Sequence, residues 1–466
     1  MYKAEELARY VAKAKFDDFP SDVVNKAKEC IIDSIGCAVG ASPTEIGKML
    51  IDVAESMGGN PESTLIGSKK QVSAPVAAFA NSELSNKLDF DDITPGHTGS
   101  TVVPPAIAMA EKLAASGKDL IVAVVLGYEL CCRVVASVPE IWPLQQKRVW
   151  GLGTWGTFGA ATVAGKLLNL NDEQMANAIG IAGCNAPVSS LGKSRGWGYP
   201  WDHIGRCTHV KNNYGTASWA GVTSAMLAQK GYNGPHDLFE GKMGFWRWMG
   251  GIRNDSDKLT AGLGERYGIR GVNFKSYPCC GFIQPAIAAA LDITEKNNIR
   301  AEDIDEITIR TVGVCSMPMF TNIDMKDMQD APFSWPWSVA AAIVGIERSP
   351  YYYDESLKDP RVRQLAEKIR LIPDIEADLM SVTPSGKAGL FPPMRATAEL
   401  VAKGKKFTKQ VDMYFGEAYV HYPDARQKFT LLTSPTLGTK KTAKLFEALR
   451  NLENYDNIQK VTELLC

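Results

Sequence analysis

Hydrophobic residues recur at helical spacing through most of the first 260 residues. Three such segments follow a proline or a capping residue: one after Pro20-Ser21-Asp22, one after Ser73-Ala74-Pro75 and one at Pro104-Pro105. A capping residue or proline followed by apolar side chains three and four residues apart predicts the start of an amphipathic helix. In the first segment these apolar positions are Val24, Ala27, Ile31 and Ile35.

One later segment is apolar on nearly every side. Leu120–Val135 carries few polar residues, and a helix of this kind is buried all round. Its most apolar part, Leu120–Leu130, is too short for the ~20 residues that cross a bilayer. Small residues in Gly159–Gly165 and Ala176–Gly183 allow close helix–helix approach. The first part of the chain is therefore predicted to form a large helical core without a membrane span.

The pattern changes near residue 270. Ile304–Val312 contains apolar and polar residues in alternation, which predicts a half-buried strand. Arg395–Val401 and Phe407–Phe415 predict a hairpin across Lys403-Gly404-Lys405. Helical patterns lie between the strands, at Gln284–Lys296 and Trp337–Val344. This part of the chain is predicted to form a smaller α+β unit.

Helical spacing returns after Tyr422-Pro423, at Ala425–Leu432 and Thr439–Leu465. The predicted fold class is therefore mainly α. A large all-helical domain is built from both chain ends, residues 1–269 and 419–466, and a smaller α+β domain, residues 270–418, is inserted into it. No internal repeat and no low-complexity tract interrupts this organisation.

Composition narrows the class of protein. The chain has 466 residues, with 51 Lys and Arg against 52 Asp and Glu, so its net charge is −1. Proteins that bind nucleic acid or membrane surfaces need a basic excess, so neither partner is expected. None of the ten cysteines forms a CxxC pair, and the N-terminal segment has no signal-peptide pattern. We expect a reduced, cytoplasmic enzyme or binding protein.

The segment Leu88–Ser100, called the acidic loop below, concentrates chemistry. It holds three carboxylates, one histidine and two glycines. Composition alone favours a solvated loop that caps the next helix. The alternative is general acid–base catalysis, because His97 lies among carboxylates such as Asp89. A single histidine with clustered aspartates defines no metal-ligand spacing, so no metal is predicted.

Two lysines stand in turn-like contexts. Lys275 lies in Phe274–Gly281, at the start of the α+β unit, where it could enter a cleft between domains. The alternative is a domain-entry turn, and the adjacent cysteines are not predicted to be nucleophiles without a neighbouring histidine. Lys211 precedes the helix Ala217–Leu227, where a lysine is usually structural. Gly153–Gly159 lacks the lysine of a P-loop and a preceding strand, so it predicts a close-packed helix start.

Five motifs together resemble the MmgE/PrpD family. They are LDFDD-x4-H at Leu88–His97, GTFGAA at 156–161, LAQKGYNGP at 227–235, KSYPCCG at 275–281 and FSWPWSVAAAIVG at 333–345. The resemblance covers essentially the whole chain. It implies a large helical domain with an α+β lid, a homodimer and no cofactor. It also implies proton or carboxylate removal beside a carbonyl-type carbon of a small polycarboxylic acid.

The resemblance assigns catalytic roles to Asp89, His97, Lys211 and Lys275, with Lys275 facing the other three across the cleft between the domains. Substrate contacts are predicted for Ser100, Cys280 and Trp337. Three positions depart from the family pattern. Gly153 falls in the stretch where many members have a histidine, Gln284 where a histidine often follows the CCG stretch, and Trp337 where a tyrosine is common.

The predicted function is that of a lyase, most simply a hydro-lyase similar to 2-methylcitrate dehydratase, acting on a small carboxylic acid. Two alternatives remain open. One is an epimerase or isomerase that shares the proton abstraction, and the other is a family member that binds a carboxylate ligand without catalysis.

Overall fold

The computed structural model describes residues 1–94, 96–138, 153–187, 209–210, 212–248, 251, 253–325, 328–381 and 392–466. Helices dominate these residues, so the predicted mainly α class is confirmed. Contacts divide the described residues into two compact units. The first unit contains the described residues of Met1–Leu191, Asn212–Val272 and Ala425–Cys466. The second unit contains the described residues of Gly192–Lys211 and Asn273–Asp424. The lid role of the α+β part stays a prediction.

The first unit is a helical assembly with three two-residue strands, β1 (Ser63–Thr64), β2 (Gln71–Val72) and β3 (Asp92–Ile93). Its helices are α1 (Lys3–Lys13), α2 (Ser21–Ala41), α3 (Glu45–Met57), α4 (Ala74–Lys87), α5 (Gly99–Lys112), α6 (Gly117–Ala136), α7 (Gly156–Leu167), α8 (Asp172–Asn185), α9 (Tyr214–Gln229), α10 (Phe245–Trp248), α11 (Asp257–Thr260), and, near the end of the chain, α18 (Ala425–Leu437), α19 (Thr439–Arg450) and α20 (Gln459–Thr462). Three of these helices have an N-cap side chain: Thr44, Ser116 and Asn171 each accept a hydrogen bond from a backbone N–H of the first turn.

Glycines let the central helices of this unit approach closely. A Cβ on Gly156 would lie 2.6 Å from Thr101 of α5, and one on Gly159 would lie 2.5 Å from Cys131 of α6. Contacts this short leave no room for a side chain, so α7 packs directly on α5 and α6. This confirms the close-packed helix start that the glycine-rich run predicts.

Helix α6 is buried along almost its whole length, as its apolar sequence predicts. Its two buried charged residues pair with each other, with Arg133 Nε 2.6 Å from Glu129 Oε1. None of the helices in the described part of the chain has the length and hydropathy needed to cross a membrane.

One predicted helix boundary is wrong. The proline pair predicts a helix that begins at Pro104, but α5 begins at Gly99 and contains both prolines. Pro104 and Pro105 are the sixth and seventh residues of α5, past the N–H groups that lack helical partners at a helix start, so α5 continues through them without two of its regular hydrogen bonds. The early start has a chemical cause, since the Gly99 N–H donates to Asp92 Oδ1 at 3.2 Å. Ser100 therefore lies in the first turn of a helix.

The second unit is built on a four-stranded sheet in the order β6-β5-β7-β8. The strands are β5 (Ile304–Thr311), β6 (Ile369–Pro373), β7 (Met394–Ala402) and β8 (Lys405–Met413), with a separate short strand β4 (Asn273–Phe274). Strands β5 and β6 are parallel, while β5–β7 and β7–β8 are antiparallel. Lys403 and Gly404 both have positive φ, 52° and 72°, as a two-residue hairpin turn requires. The predicted hairpin is confirmed.

Among the described residues of this unit, six helices accompany the sheet: α12 (Gln284–Lys296), α13 (Pro318–Thr321), α14 (Trp335–Val344), α15 (Tyr352–Lys358), α16 (Pro360–Ala366) and α17 (Ile375–Met380). Helix α12 packs against β7 and β8. Its predicted bounds are confirmed, and α14 begins two residues before its predicted start.

Candidate functional site

The acidic loop joins the end of α4 to the first turn of α5, and the chain bends sharply within it. Asp89 and His97 have φ of 50° and 54°, in the left-handed region, and Gly96 has φ of 88°. Residues other than glycine seldom adopt such values, and they cluster at functional sites. A Cβ on Gly96 would lie 2.6 Å from the Trp155 ring, so only glycine fits there. These bends fold the loop back on itself.

Folding the loop back brings His97 against two carboxylates. His97 Nδ1 lies 3.0 Å from Asp91 Oδ1, and His97 Nε2 lies 3.9 Å from Asp89 Oδ1. The His97 side chain keeps 15% of its surface exposed, whereas Asp89 is 1% exposed. Burial of all three loop carboxylates rules out the solvated-loop alternative. The structure therefore brings Asp89 and His97 together, while their catalytic roles stay a prediction.

Asp91 orients the imidazole. Its carboxylate accepts hydrogen bonds from Asn86 Nδ2, at 2.9 and 3.0 Å, and from Ser100 Oγ, at 2.8 Å. A carboxylate held by such donors is an acceptor, so His97 Nδ1–H donates to it and Nε2 of the neutral ring carries the lone pair. This is the arrangement of a general base whose ring is held by a carboxylate. Ser100, predicted to bind substrate, here donates to Asp91.

Asp92 has a different environment. Its carboxyl accepts hydrogen bonds from the Gly99 N–H, Thr94 Oγ1 and Tyr128 OH. Burial raises its pKa to about 8, and the charges of Asp91 and Asp33 add to the effect. Asp92 is therefore mostly protonated at neutral pH. It fixes the start of α5 while Asp91 engages the histidine.

Helix α9 closes the other side of the loop. Asn212, just before this helix, donates through Nδ2 to Asn86 Oδ1 at 3.0 Å. Tyr214 OH donates to the Gly96 carbonyl at 2.7 Å, and its ring centroid lies 6.0 Å from that of His97. Lys211, the predicted catalytic lysine next to Asn212, lies outside the described residues, so its role stays a prediction.

Sequence reasoning missed the residues that support the histidine and its neighbours: Asn86, Tyr128, Asn212 and Tyr214. Each is almost fully buried. A buried amide or phenol must find a hydrogen-bond partner, and in an apolar helical pattern it is a signal of such a network. Tyr128 interrupts the apolar helix α6 and so carried that signal, whereas Asn86 follows polar residues near the end of α4 and did not stand out.

The same cluster has the composition of a cation site. Asp89, Asp91 and His97 each offer a ligand atom, and these atoms lie within 4.8 Å of one another. However, His97 Nδ1 and both Asp91 oxygens already take part in hydrogen bonds with each other, with Asn86 of α4 and with Ser100. An ion on these atoms would have to replace those bonds. The side-chain atoms of Asp89, Asp91 and His97 therefore fit a hydrogen-bonded acid–base cluster better than a metal centre.

In the second unit, Lys275–Gln284 forms a buried turn, called the lysine turn below. Lys275 is fully buried. The Gln284 Oε1 atom accepts the N–H groups of Ser276 and Tyr277 at 2.9 and 3.2 Å, and its Nε2 donates to the Tyr277 carbonyl at 2.9 Å. Gln284, which stands where many family members have a histidine, therefore holds the turn that carries Lys275 through three hydrogen bonds.

Two predicted substrate contacts also lie in the second unit. The Cys280 N–H donates to the Pro332 carbonyl at 2.8 Å, and its side chain is partly exposed. Trp337 is buried, and its indole N–H donates to Ser356 Oγ at 3.2 Å. Their contacts with substrate stay predictions. Gly153 is the third position that departs from the family pattern, and it is the first described residue before α7. A Cβ at this position would lie 2.8 Å from the Asn212 carbonyl oxygen.

Several relatives are named cis-aconitate decarboxylase. The Aspergillus terreus protein is 27% identical over 299 residues, which cover 61% of this chain and 58% of its own length. The Mus musculus protein is 24% identical over 484 residues, covering 99% of this chain and 93% of its own length. The Homo sapiens protein is 23% identical over 483 residues, which cover 99% of this chain and 94% of its own length.

The family comparison covers most of the chain. The MmgE/PrpD N-terminal domain matches residues 5–256, which include the acidic loop, and the MmgE/PrpD C-terminal domain matches residues 277–454. Together with the five sequence motifs and the mainly helical fold, these matches show that the chain belongs to the MmgE/PrpD family.

Proposed function

We propose that this protein is a lyase that acts on a small polycarboxylic acid without a cofactor. The observation that carries the proposal is the Asp91–His97–Asp89 cluster. One ring nitrogen of His97 lies 3.0 Å from Asp91, the other lies 3.9 Å from Asp89, and the side chain keeps 15% of its surface exposed. A histidine oriented in this way can take a proton from, or return one to, a carbon beside a carboxyl group. Lys275, and Lys211 by resemblance, would bind the substrate carboxylates.

Two lyase reactions use this histidine in opposite protonation states. In dehydration, neutral His97 takes the proton from carbon, the C–O bond breaks, and the hydroxyl group leaves as water after it gains a proton. In decarboxylation, the C–C bond breaks, CO₂ leaves, and protonated His97 returns a proton to the carbanion carbon. Dehydration is the simplest lyase reaction that the family resemblance implies, whereas the names of the relatives favour decarboxylation.

An NMR experiment in heavy water separates these reactions. The protein is mixed in turn with 2-methylcitrate, citrate and cis-aconitate, and the products and their deuterium content are recorded. Formation of an alkene with release of water identifies a hydro-lyase, and release of CO₂ with deuterium at the protonated carbon identifies a decarboxylase. Exchange alone supports an epimerase, and no reaction with measurable binding supports the ligand-binding alternative.

We further propose that the protein forms a homodimer through its helical unit. Exposed apolar side chains on α9 support this, since Trp219 and Leu227 are 43% and 41% exposed and lie on one face of the helix. Light scattering at micromolar concentration should give twice the chain mass of 50.7 kDa. A monomeric mass would contradict the proposal.

A further inference from the structure

A lysine from the far end of the chain reaches the middle of the acidic loop. Lys428, on α18, places Nζ 2.6 Å from Asp33 Oδ1 on α2 and 2.5 Å from the carbonyl oxygen of Phe90. The same nitrogen lies 4.2 Å from the centroid of the Phe90 ring. Phe90 stands between Asp89 and Asp91, so this contact falls between the two carboxylates that face His97.

Both charged side chains are buried, with 6% and 7% of the Lys428 and Asp33 side chains exposed. A buried ion pair contributes little net stability, because the cost of desolvating two charges offsets their attraction. Well-packed apolar residues in the same place are often equally stable. A contribution to folding stability therefore does not explain why the Lys428–Asp33 pair is present.

Close packing fixes the place of the lysine. A Cβ on Gly36 would lie 3.0 Å from Phe429, and one on Gly40 would lie 3.1 Å from Leu432. Asp33, Gly36 and Gly40 follow one face of α2, so the side chains of α18 that fill the glycine positions also set Lys428 beside Asp33. The register between the two helices thus determines where the ammonium group meets the Phe90 carbonyl.

We propose that Lys428 is a positioning residue for the reaction: by holding the Phe90 carbonyl, it fixes the left-handed bend at Asp89 and the direction of Asp91 toward His97. This inference rests on the proposed function of His97 as acid–base group. Asp33 serves to place the ammonium group, and neither residue is required to touch the substrate.

The decisive variant replaces both charged residues. In Lys428→Met alone, Asp33 loses its lysine, so we expect a lower melting temperature together with lower activity. The double variant Asp33→Leu/Lys428→Met has no buried charge at this place, and its melting temperature should return most of the way to that of the wild type. Its kcat should nevertheless stay at least tenfold below wild type with little change in KM, because the Phe90 carbonyl still lacks its donor.

Lys166→Met is the matched control. Lys166 also lies on a helix of the first unit, and its Nζ donates to a main-chain carbonyl, that of Ala12, at 2.9 Å. We expect its kcat to remain near wild type. A second readout is the pH profile of kcat/KM, which should shift in the double variant and not in the control. A double variant that folds with wild-type kcat and an unshifted profile would overturn the proposal.

A measurement without substrate separates this inference from the proposed function. The chain has five histidines, so the His97 ring signals can be assigned by their loss in His97→Gln. At fixed pH, the chemical shifts of these signals should move in the double variant and stay in place in Lys166→Met. Moved signals in a protein that turns over no polycarboxylic acid would support the positioning role and reject only the proposed reaction. Unmoved signals would reject the positioning role itself.

Discussion

The acidic loop and the lysine turn are both buried and cross-linked, but by different kinds of group. In the acidic loop the hydrogen bonds converge on carboxylates, with Asp91 held by an amide, a hydroxyl and an imidazole. In the lysine turn the neutral amide of Gln284 binds main-chain N–H and carbonyl groups. One network therefore contains groups that exchange protons. The other joins neutral groups, with Lys275 buried in the turn and Arg348 Nη1 donating to the Ser276 carbonyl at 3.1 Å.

The difference is visible in the titration of nearby groups. Burial and the neighbouring charges of Asp91 and Asp33 raise the pKa of Asp92 to about 8. In the second unit, burial raises the pKa of Tyr419, and the nearby positive charge of Lys275 acts against this shift. Burial together with neighbouring carboxylates thus brings the pKa of Asp92 into the physiological range, whereas burial beside a lysine raises the pKa of Tyr419 further above it. We expect acid–base chemistry from the acidic loop and substrate binding from the lysine turn.

The largest effect should come from His97→Gln. Glutamine can still donate to Asp91 but cannot exchange a proton, so kcat should fall ~10²–10⁴-fold, which is roughly 3–5 kcal/mol of barrier. KM and the melting temperature should change little. The matched control is His236→Gln, because His236 also pairs with a carboxylate at 3.0 Å, that of Glu5, in the same unit. If His97→Gln lowered the melting temperature and left specific activity intact, His97 would be a structural donor and the base would be Asp89 or a neighbour.

Gln284→Ala should have the next largest effect, this time on stability. The change leaves the buried N–H groups of Ser276 and Tyr277 without their acceptor, and each such loss costs about 1–3 kcal/mol. We expect the free energy of unfolding to fall by about 2–4 kcal/mol in urea denaturation. Gln410→Ala, on the exposed face of β8 in the same unit, should change it by less than about 0.5 kcal/mol. Equal stability of the two variants would mean that the hydrogen bonds of Gln284 are unimportant.

Lys275→Met should weaken substrate binding by a smaller amount. Methionine keeps the apolar stem and removes the charge, so KM should rise about tenfold, which corresponds to ~1.4 kcal/mol. Turnover should fall no more than binding does. Lys368→Met is the control, because Lys368 donates to a main-chain carbonyl at 2.6 Å in the same unit. A loss of kcat as large as that of His97→Gln would instead give Lys275 a role in proton transfer.

The smallest effect concerns Asp92 and pH. The pKa of Asp92 is about 8 in the folded protein and about 3.9 in an unfolded chain. Between these values the unfolded chain has lost the proton and the folded protein keeps it, so this group lowers stability as pH rises from about 4 to about 8. In Asp92→Asn that slope should vanish. The difference from wild type between pH 6 and 7 should be about 1 kcal/mol, measured by urea denaturation at both pH values. Parallel stability curves would show that Asp92 is ionised when folded.

Local patterns in the sequence predicted much of the fold. Helix α12 and the β7–β8 hairpin lie where spacing and turn residues place them, because both depend on neighbours within a few residues. The start of α5 was predicted five residues too late. Its cause is the side chain of Asp92, which binds Gly99 across the acidic loop, and no periodicity of apolar residues encodes such a contact.

The candidate site divides in the same way. Residue types and their spacing were enough to identify the family and the mainly helical class, and they also predict a catalytic role for Asp89 and His97. The division of labour between Asp91, which orients His97, and Asp92, whose pKa is raised, comes from the folded chain, because adjacent aspartates differ in what packs around them. The fold also brought Lys428 to Phe90 from 338 residues away. Long-range packing sets solvent access and the nearest charges, and these set the pKa and orientation of every acid–base group.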